Sequence, residues 1–435
     1  METTPCNVYS GWLRWLLPAA IIAVAVISAG KLRPGLFIGD TVTSRLATVY
    51  ALVHEGTWRI DHPADLPPVP FETQCVDKVV VNGRLLSSKP PVLTLLMTGE
   101  YYLLHLIGGF DLAKREDLRP VLSFMVLTLC QLSFAVGMVF FAATISLFIR
   151  NPFRAAIPLA LLGFASPIPG YAQQLNNHTP AAAALMVALY FALALSSGKK
   201  PPKAWRFAAF GLSAALVFAF DLPTTIFVAI AALALVWKFP KQTLIWATLG
   251  SSLPLLAHFG GLWLATGDLR PVQMREAVYL FESSYWRNPL GIDALNESKL
   301  TYLFNITFGR MGVFMLFPCL IVSVCGVSEL LRHGPPEMRL PVVLTTFAFV
   351  VLTVYYVKST NNYGGASYGF RWYIGSVPVL LLLGVLLFDR LRWYSGWMLL
   401  GVASLISVYS AWECLQAPWG ANHEWTCRLL FGPVV

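Results

Sequence analysis

The stretch WLLPAAIIAVAVISAG at residues 15–30 decides the fold of this chain. It is apolar throughout and approaches the length that an α-helix needs to cross a bilayer core of about 30 Å. Because lipid offers no hydrogen-bond partner to an open backbone, such a run must be helical. No convincing small-residue cleavage site accompanies it, so we expect the run to stay in the protein as an anchor.

Similar apolar runs recur along the chain, which is 57% hydrophobic and only 12% charged, with a mean hydropathy of +0.64. Soluble domains do not have this composition. The pattern predicts an all-α polytopic membrane protein with about 11 transmembrane helices, organised as a single domain over residues 1–435. The predicted crossings lie near 13–31, 121–149, 155–170, 180–197, 205–220, 222–237, 242–266, 310–331, 340–357, 373–388 and 393–411.

The net charge of +9 comes from cations that punctuate the apolar runs and do not form one basic block, so we expect no nucleic-acid partner. The clusters are Arg150 with Arg154, Lys199 with Lys200, Lys203 and Arg206, Lys238 with Lys241, Arg332 with Arg339, and Arg390 with Arg392. Short loops rich in Lys and Arg stay cytoplasmic, which predicts a cytoplasmic N-terminus. The non-cytoplasmic face then carries the loops 32–120, 267–309 and 358–372 and the turn at 171–179.

One apolar segment does not fit this map as a crossing. Residues 90–110 (PPVLTLLMTGEYYLLHLIGGF) carry Glu100 and His105 in mid-run. A full crossing would move the clusters at Arg150 and Lys199 to the outside. We therefore expect an amphipathic or re-entrant helix at the outer interface. A true crossing stays as the alternative, because Lys114, Arg115 and Arg119 would suit a cytoplasmic loop.

The first long loop, 32–120, is predicted to form a small non-cytoplasmic cap. Asp40 stands at its head, just beyond the first crossing, and a helical apolar pattern over 45–53 follows it. Asn82-Gly83 predicts the tight turn of a hairpin. Lys89-Pro90-Pro91 then opens the interfacial helix, since proline is well tolerated in a first helical turn.

The cysteines make no metal-binding pattern. Cys130, Cys319 and Cys325 lie in apolar runs, where cysteine usually acts as a small buried hydrophobe. Cys414 and Cys427 flank the tail on the predicted outer side, where a disulfide is plausible in an oxidising compartment.

The order of these features resembles the GT-C superfamily of integral-membrane glycosyltransferases, nearest in pattern to its protein O-mannosyltransferase and aminoarabinose transferase branch. An aspartate follows the first crossing, a Lys-Pro-Pro element ends its loop, and a many-helix body follows. The stretch 361–372 (NNYGGASYGFRW) is similar to a Tyr-Gly-Gly…Gly-x-Arg element of bacterial members. The resemblance implies transfer of a sugar from a polyprenyl-phosphate carrier to an acceptor at the non-cytoplasmic face.

That chemistry needs a carboxylate to take the proton of the acceptor and cations to hold the departing phosphate. Asp40 is the candidate catalytic base. The donor-phosphate candidates are Lys89, Arg371 and His178, and the substrate-loop candidates are Tyr363, Gly364, Gly365 and Tyr368.

Each candidate also has a structural interpretation. Asp40 suits a helix-end acid that pairs with Arg45 or Lys31. Arg371 suits an interfacial anchor beside aromatic residues, Lys89 a snorkelling side chain, and His178 a helix cap.

No cofactor is assigned with certainty, and a divalent metal stays open. Asp61, Asp65, Glu72 and Asp77 crowd the first loop, but the outer loops contain no Asp-x-Asp pair. A metal-free mechanism is therefore favoured. The loop 267–309, which mixes charged and aromatic residues, suits a substrate lid or an interfacial segment.

Two other classes of function compete with the enzyme. A transporter or lipid-carrier flippase would line a path with intramembrane charges and broken helices, and Asp221 beside Pro223 is the residue that favours it. A non-enzymatic envelope assembly factor would tolerate loss of Asp40. The expected partners are the bilayer, a polyprenyl-phosphate-linked sugar and an acceptor that is a glycan, lipid or protein. The expected location is the bacterial inner membrane.

Overall fold

The computed structural model of the protein describes residues 10–31, 36, 38–61, 75–360, 362–420 and 424–431. It is mostly helical, with 73% of residues in helices and 2% in strands. This composition agrees with the predicted fold class, a helical polytopic membrane protein.

The helices and strands follow in this order. The first part contains α1 (Ser10–Lys31), α2 (Asp40–His54), β1 (Lys78–Val81), β2 (Arg84–Ser87), α3 (Pro91–Gly108), α4 (Arg115–Met125) and α5 (Leu132–Ser146). The middle part contains α6 (Pro152–Phe164), α7 (Ile168–Tyr171), α8 (His178–Ser196), α9 (Ala204–Phe220), α10 (Thr225–Lys238), α11 (Pro240–Gln242) and α12 (Thr248–Thr266). The last part contains α13 (Lys299–Thr307), α14 (Val313–Leu316), α15 (Cys319–Cys325), α16 (Val327–His333), α17 (Pro336–Ser359), α18 (Val377–Leu383), α19 (Val385–Arg390) and α20 (Tyr394–Gln416).

Shorter elements link these helices. π-Helical segments at Val126–Gln131 and Thr243–Ala247 join α4 to α5 and α11 to α12. Single 3-10 turns lie at Val272–Met274, Glu276–Tyr279, Tyr285–Arg287, Gly291–Asp293 and Arg371–Ser376, and a π turn lies at Cys427–Phe431.

Each predicted crossing falls on a helix or on a broken helix. Among the described residues, six helices are long and apolar enough to span a membrane: Trp12–Lys31, Arg115–Ser146, His178–Ser196, Met338–Ser359, Arg371–Arg390 and Tyr394–Gln416. Three shorter apolar helices lie at Pro152–Phe164, Ala204–Phe220 and Thr225–Lys238. The figure of 11 crossings and the orientation stay predictions.

The break predicted at Asp221 is confirmed, since α9 ends at Phe220 and α10 begins at Thr225. α9 also packs very closely on the helix that follows α10. A Cβ atom on Gly211 would lie 1.9 Å from the carbonyl oxygen of Ala247, and one on Gly250 would lie 2.0 Å from that of Ala208. Glycine is therefore required at both positions, because a side chain would force the two helices apart.

The first long loop contains the predicted hairpin. β1 and β2 pair antiparallel, with Val79 opposite Leu86. Asn82 and Gly83 both have positive φ, 52° and 72°, as a two-residue hairpin turn requires. Val79 and Leu86 are buried with Val272 of the loop 267–309, so the first long loop and the loop 267–309 share a small core.

Residues 91–108 form the helix α3, as predicted for the segment 90–110. One side of α3 packs on α2 and buries Leu93, Met97 and Tyr101. The other side exposes Leu103 and Ile107. An apolar exposed face suits contact with lipid, and the interfacial placement of α3 stays a prediction.

The expected disulfide between Cys414 and Cys427 is not formed, and both residues are buried free thiols. The sulfur of Cys414 faces the carbonyl of Pro167 at 3.6 Å, and that of Cys427 faces the carbonyl of Arg310 at 3.9 Å. Each thiol is therefore packed against a different part of the bundle.

Candidate active site

Polar side chains meet where several helices begin or end. Asp40 begins α2, His178 begins α8, Asp221 follows α9, and Arg371 precedes α18. These four residues lie at the end of the bundle to which the first loop contributes Asp77 and Lys89.

Asp77 and Lys89 form a largely buried ion pair. Nζ of Lys89 lies 2.8 Å from Oδ2 of Asp77, with side chains 18% and 15% exposed. Thr41 donates its hydroxyl to the same oxygen at 2.7 Å, and Ser44 donates to the backbone carbonyl of Asp77 at 2.7 Å. The pair therefore fastens the first loop to α2.

The charges within this pair control one another's titration. Burial alone would raise the pKa of Asp77, but Lys89 and the Thr41 hydroxyl hold it below its ordinary value. Burial lowers the pKa of Lys89, and Asp77 opposes that effect. Lys89 therefore already has an anionic partner in Asp77.

Asp40, the predicted base, is exposed at the first position of α2. Its Oδ1 accepts a hydrogen bond from the backbone N–H of Val76 at 2.9 Å. The Cys75 thiol donates to its backbone carbonyl at 3.1 Å. The carboxylate is thus oriented by the strap Cys75–Asp77 and stabilised by the positive end of the α2 dipole. Arg45 and Lys31, its suggested partners, are not its partners among the described ion pairs.

Arg45 was not predicted as a site residue. Its side chain is 1% exposed, and Nη2 reaches Oδ1 of Asn177 at a long 3.4 Å. Nε and Nη1 have no hydrogen-bond partner within the described part of the chain. Burial lowers the pKa of Arg45 to about 10, with Asp77 raising it and Arg371 lowering it.

The sequence did carry a signal for Arg45. It lies between Val42 and Val49 at helical spacing, and both valines are buried. An arginine on the apolar stripe of a helix is expensive unless it is paired or functional. The apolar pattern over 45–53 predicts the helix, and the charge of Arg45 within that pattern indicates a functional residue.

Arg371 is half-buried at the start of the 3-10 turn. Its guanidinium lies over the ring of Trp419, with 5.0 Å from Cζ to the ring centroid. Its Nε lacks a hydrogen-bond partner in the described residues. Asp77, Asp221 and Asp293 lie within electrostatic reach of it, so Arg371 and Arg45 belong to the same charged neighbourhood as the first loop.

Gly364 and Gly365 make room for this arginine. Both have positive φ, 87° and 76°, and a Cβ on Gly364 would lie 3.2 Å from Cγ of Arg371. The Gly-Gly pair thus lets the backbone of the loop approach Arg371 closely. Asn361, at the start of the motif 361–372, lies outside the described residues.

The two tyrosines of the motif are buried, with their hydroxyl groups occupied. Tyr363 donates to Glu297 and accepts from Nδ2 of Asn305 at 2.8 Å. Tyr368 donates to Oε2 of Glu413 at 2.8 Å. These contacts hold the loop before Arg371 in place and leave neither hydroxyl free in the described structure.

His178 is paired with Asp221. Nδ1 of His178 lies 3.0 Å from Oδ2 of Asp221, which also accepts from the Thr224 hydroxyl at 3.1 Å. With the proton on Nδ1, Nε2 is a hydrogen-bond acceptor. The suggested capping role falls instead to Asn176, whose Oδ1 accepts from the N–H of Thr179 at 2.8 Å.

The loop 267–309 contacts the strap that holds Asp40. Nε1 of Trp286 donates to the carbonyl of Val76 at 2.9 Å. The hydroxyl of neighbouring Tyr285 donates to Oδ2 of Asp293 at 3.1 Å. The loop 267–309 therefore brings a second carboxyl toward the strap.

Burial raises the pKa of Asp293, and the charges of Asp77 and Asp40 act in the same direction. The Tyr285 hydrogen bond and Arg371 oppose the shift. Asp293 thus lies near the predicted base, although its position in the sequence gave no sign of this.

No group of three or more His, Cys, Asp or Glu side chains among the described residues is placed to hold a metal ion. Asp65 and Glu72, considered as metal ligands from the sequence, lie outside the described part of the chain. Metal use stays open.

The residues after α20 fold back onto the loop before Arg371. We name residues 417–420 and 424–431 the C-terminal segment. Tyr368 donates its N–H to the carbonyl of Pro418 at 3.0 Å, and Gly369 donates its N–H to Oε1 of Glu424 at 2.7 Å. The Thr426 hydroxyl donates to the carbonyl of Arg310 at 2.7 Å.

We expect Lys89→Met to lower the free energy of unfolding by about 3–5 kcal/mol, because it leaves the buried Asp77 carboxylate without its counter-ion. The double variant Asp77→Asn, Lys89→Met should recover most of that loss. Urea or thermal unfolding in detergent micelles measures both, with Lys114→Met at an exposed position as the control. Equal losses in the single and double variants would contradict the pairing.

We also expect a pH-dependent effect of Glu424→Gln. Burial raises the pKa of Glu424 from its ordinary 4.5 to about 7. Between these values the folded protein holds a proton that the unfolded chain has lost, so the free energy of unfolding falls as the pH rises. The free energy of unfolding of the glutamine variant should therefore exceed that of wild type by about 3 kcal/mol at pH 8. At pH 5 the difference should be less than about 1 kcal/mol.

Thermal unfolding across this pH range tests the expectation, with the exposed Glu282→Gln as the control. A Glu424→Gln advantage that does not change between pH 5 and pH 8 would contradict it.

Neither a protein-family model nor a curated protein matches the chain. Solved structures do. ArnT from Cupriavidus metallidurans bound to undecaprenyl phosphate matches with a TM-score of 0.52 and 14% identity, over 88% of this chain and 61% of that chain. The archaeal oligosaccharyltransferase AglB from Archaeoglobus fulgidus, in complex with an inhibitory peptide and a dolichol-phosphate, matches with a TM-score of 0.53 and 11% identity, over 94% of this chain and 56% of that chain.

The chain thus spans less than two thirds of the length of either neighbour. Both neighbours are GT-C membrane glycosyltransferases. Their likeness to this chain confirms the resemblance inferred from the sequence at the level of the fold. The chain therefore shares its fold with ArnT and AglB.

Proposed function

We propose that the protein is a glycosyltransferase that moves a sugar from a polyprenyl-phosphate-linked donor to an acceptor at the non-cytoplasmic membrane face. The observation that carries the proposal is a pair of arginines in one neighbourhood of a GT-C fold. Arg45 is fully buried, and both Arg45 and Arg371 keep guanidinium nitrogens without partners in the described residues.

Burying a guanidinium without a counter-ion costs several kcal/mol. Lys89 avoids that cost by pairing with Asp77. Arg45 does not, which favours an anionic ligand that completes its environment. A phosphate suits this role, because its oxygens match the planar fork of arginine. The phosphate of the donor is therefore assigned to Arg45 and Arg371, with Lys89 acting through Asp77 and His178 nearby.

A lipid carrier also needs an apolar surface beside the charged groups. Lys89 borders a pocket whose other walls include Trp58 and Pro91 from the first loop and Gly261 and Leu262 from α12. ArnT and AglB were solved with undecaprenyl phosphate and with dolichol-phosphate. By analogy, the isoprenoid chain of the donor would lie between α3 and α12.

The proposed reaction balances with the groups at the site. Asp40 takes the proton of the acceptor, and the acceptor atom forms a bond to the anomeric carbon. The bond from that carbon to the phosphate oxygen breaks, and its electron pair stays on the phosphate. Arg45 and Arg371 stabilise the charge that develops there.

The alternative of a transporter rested on Asp221 beside a helix break. Asp221 is bonded to His178 and Thr224 at the end of the bundle that carries the other charged residues. A transport site lies near the membrane midplane. The placement of Asp221 therefore supports the enzyme over the transporter.

We expect Asp40→Asn to lower the turnover number about 10²- to 10⁴-fold, the usual contribution of a general base. Folding should be kept, because an asparagine oxygen can still accept the Val76 N–H. The measurement is transfer of radiolabelled sugar from short polyprenyl-phosphate donors by purified protein, with Asp61→Asn in the same loop as the control. Unchanged turnover in Asp40→Asn would assign the base to another residue.

We expect Arg45→Met to weaken ligand binding without lowering the stability of the protein. The affinity for farnesyl phosphate should fall about 10- to 100-fold, the value of hydrogen bonds to a charged group. Thermal stability without ligand should stay equal or rise, because a buried unpaired charge is removed. Equilibrium binding and thermal unfolding measure the two effects, with the exposed Arg59→Met as control. A variant that loses stability but keeps its affinity would make Arg45 a structural residue.

A further inference from the structure

The loop that carries Arg371 cannot fix its own conformation. Gly364, Gly365 and Gly369 all have positive φ, between 62° and 87°. Glycine-rich chain of this kind loses much conformational entropy when it is ordered. Contacts from outside the loop must therefore hold it.

Glu297 and Asn305 hold the start of the loop through Tyr363, and the C-terminal segment and the end of α20 hold its second half. The carbonyl of Pro418 accepts from the N–H of Tyr368, and the carboxylate of Glu424 accepts from the N–H of Gly369. Glu413, in the last turn of α20, accepts from the Tyr368 hydroxyl and from the N–H of Trp425 at 3.0 Å. The same carboxylate thus binds both the loop and the C-terminal segment.

Trp419 provides the contact to the arginine itself. One face of its ring lies 5.0 Å from Cζ of Arg371. The ring also packs edge-to-face on Tyr171, at 5.4 Å between centroids and 88° between planes. The Tyr171 hydroxyl donates to the carbonyl of Tyr368 at 3.0 Å. Trp419 is therefore held between the bundle and the guanidinium.

We propose that the C-terminal segment is an intramolecular clamp that positions Arg371, with Trp419 as the positioning residue that holds the guanidinium toward the donor phosphate. The proposal rests on the proposed function in one respect, the identity of the anion that Arg371 meets. The existence of the clamp follows from the hydrogen bonds between the C-terminal segment and the loop before Arg371, whatever the anion is.

An aromatic ring suits this task better than a carboxylate. Asp77 holds Lys89 by neutralising it, and a lysine held in this way has less charge to offer a ligand. The face of an indole attracts a guanidinium through its quadrupole and leaves the full positive charge in place. Trp419 can thus fix the orientation of Arg371 and still leave it available to an anion.

The first measurement is hydrogen exchange of the purified full chain, read by mass spectrometry over residues 364–370. Trp419→Leu should speed the exchange of this segment, because the amides of Tyr368 and Gly369 lose the docked C-terminal segment. Trp419→Phe should stay close to wild type, since a ring is kept. Trp412→Leu is the matched control, because Trp412 lies nearby on α20 and is 48% exposed.

The second measurement is equilibrium binding of farnesyl phosphate, with farnesol as the uncharged comparison. Trp419→Leu should weaken farnesyl phosphate binding about 5- to 30-fold, the range of a desolvated cation–π contact. In an Arg371→Gln background the same change should have little further effect, because Trp419 acts through Arg371. A general structural defect would weaken binding in both backgrounds.

Exchange over 364–370 that is no faster in Trp419→Leu than in Trp412→Leu overturns the clamp. Faster exchange with unchanged farnesyl phosphate affinity overturns the positioning of Arg371. Faster exchange in a protein whose wild type binds no farnesyl phosphate supports the clamp and counts against the proposed donor instead. If Trp419→Leu does not fold, Glu424→Ala carries the same comparisons with a smaller shift, because it removes the acceptor of the Gly369 N–H.

Discussion

The buried carboxylate of Asp77 is the constraint on which the candidate site depends. A charge in this position is costly unless it is paired and hydrogen-bonded, and Asp77 meets both conditions through Lys89 and Thr41. Satisfying it requires that α2, the strap Cys75–Asp77 and the start of α3 come together. The first loop therefore takes one arrangement, and Asp40 is oriented as a consequence of a charge pair in which it takes no part.

The three cations of the site are held in three different ways. The difference distinguishes a cation that stabilises the fold from cations that can bind an anion. Lys89 is neutralised by Asp77. Arg371 is held by the ring of Trp419, which leaves its charge intact. Arg45 is buried without an ion-pair partner among the described residues. Arg371 and Arg45 therefore keep a positive charge that no carboxylate in the described structure neutralises. An anion bound at this end of the bundle would contact these two arginines.

Local patterns predicted the parts of the fold that local physics determines. Apolar length located the helices, Pro223 located the break after Asp221, and Asn82-Gly83 located the hairpin turn. Ionic and stacking partners were not predictable in this way. Asp77 with Lys89 and Arg371 with Trp419 are joined by tertiary contact, and no periodicity relates them. Arg45 is the exception, because an arginine on a buried stripe is visible in the sequence.

Val76 links the first long loop and the loop 267–309 beside the proposed base. Its N–H orients the carboxylate of Asp40, and its carbonyl accepts from the indole of Trp286 in the second loop. One peptide therefore connects the proposed base to the loop that also brings Asp293. In a transfer reaction the acceptor must be placed before its proton is removed. In the proposed reaction, the contact of Trp286 with Val76 therefore helps to hold the carboxylate of Asp40 in the orientation that proton removal needs.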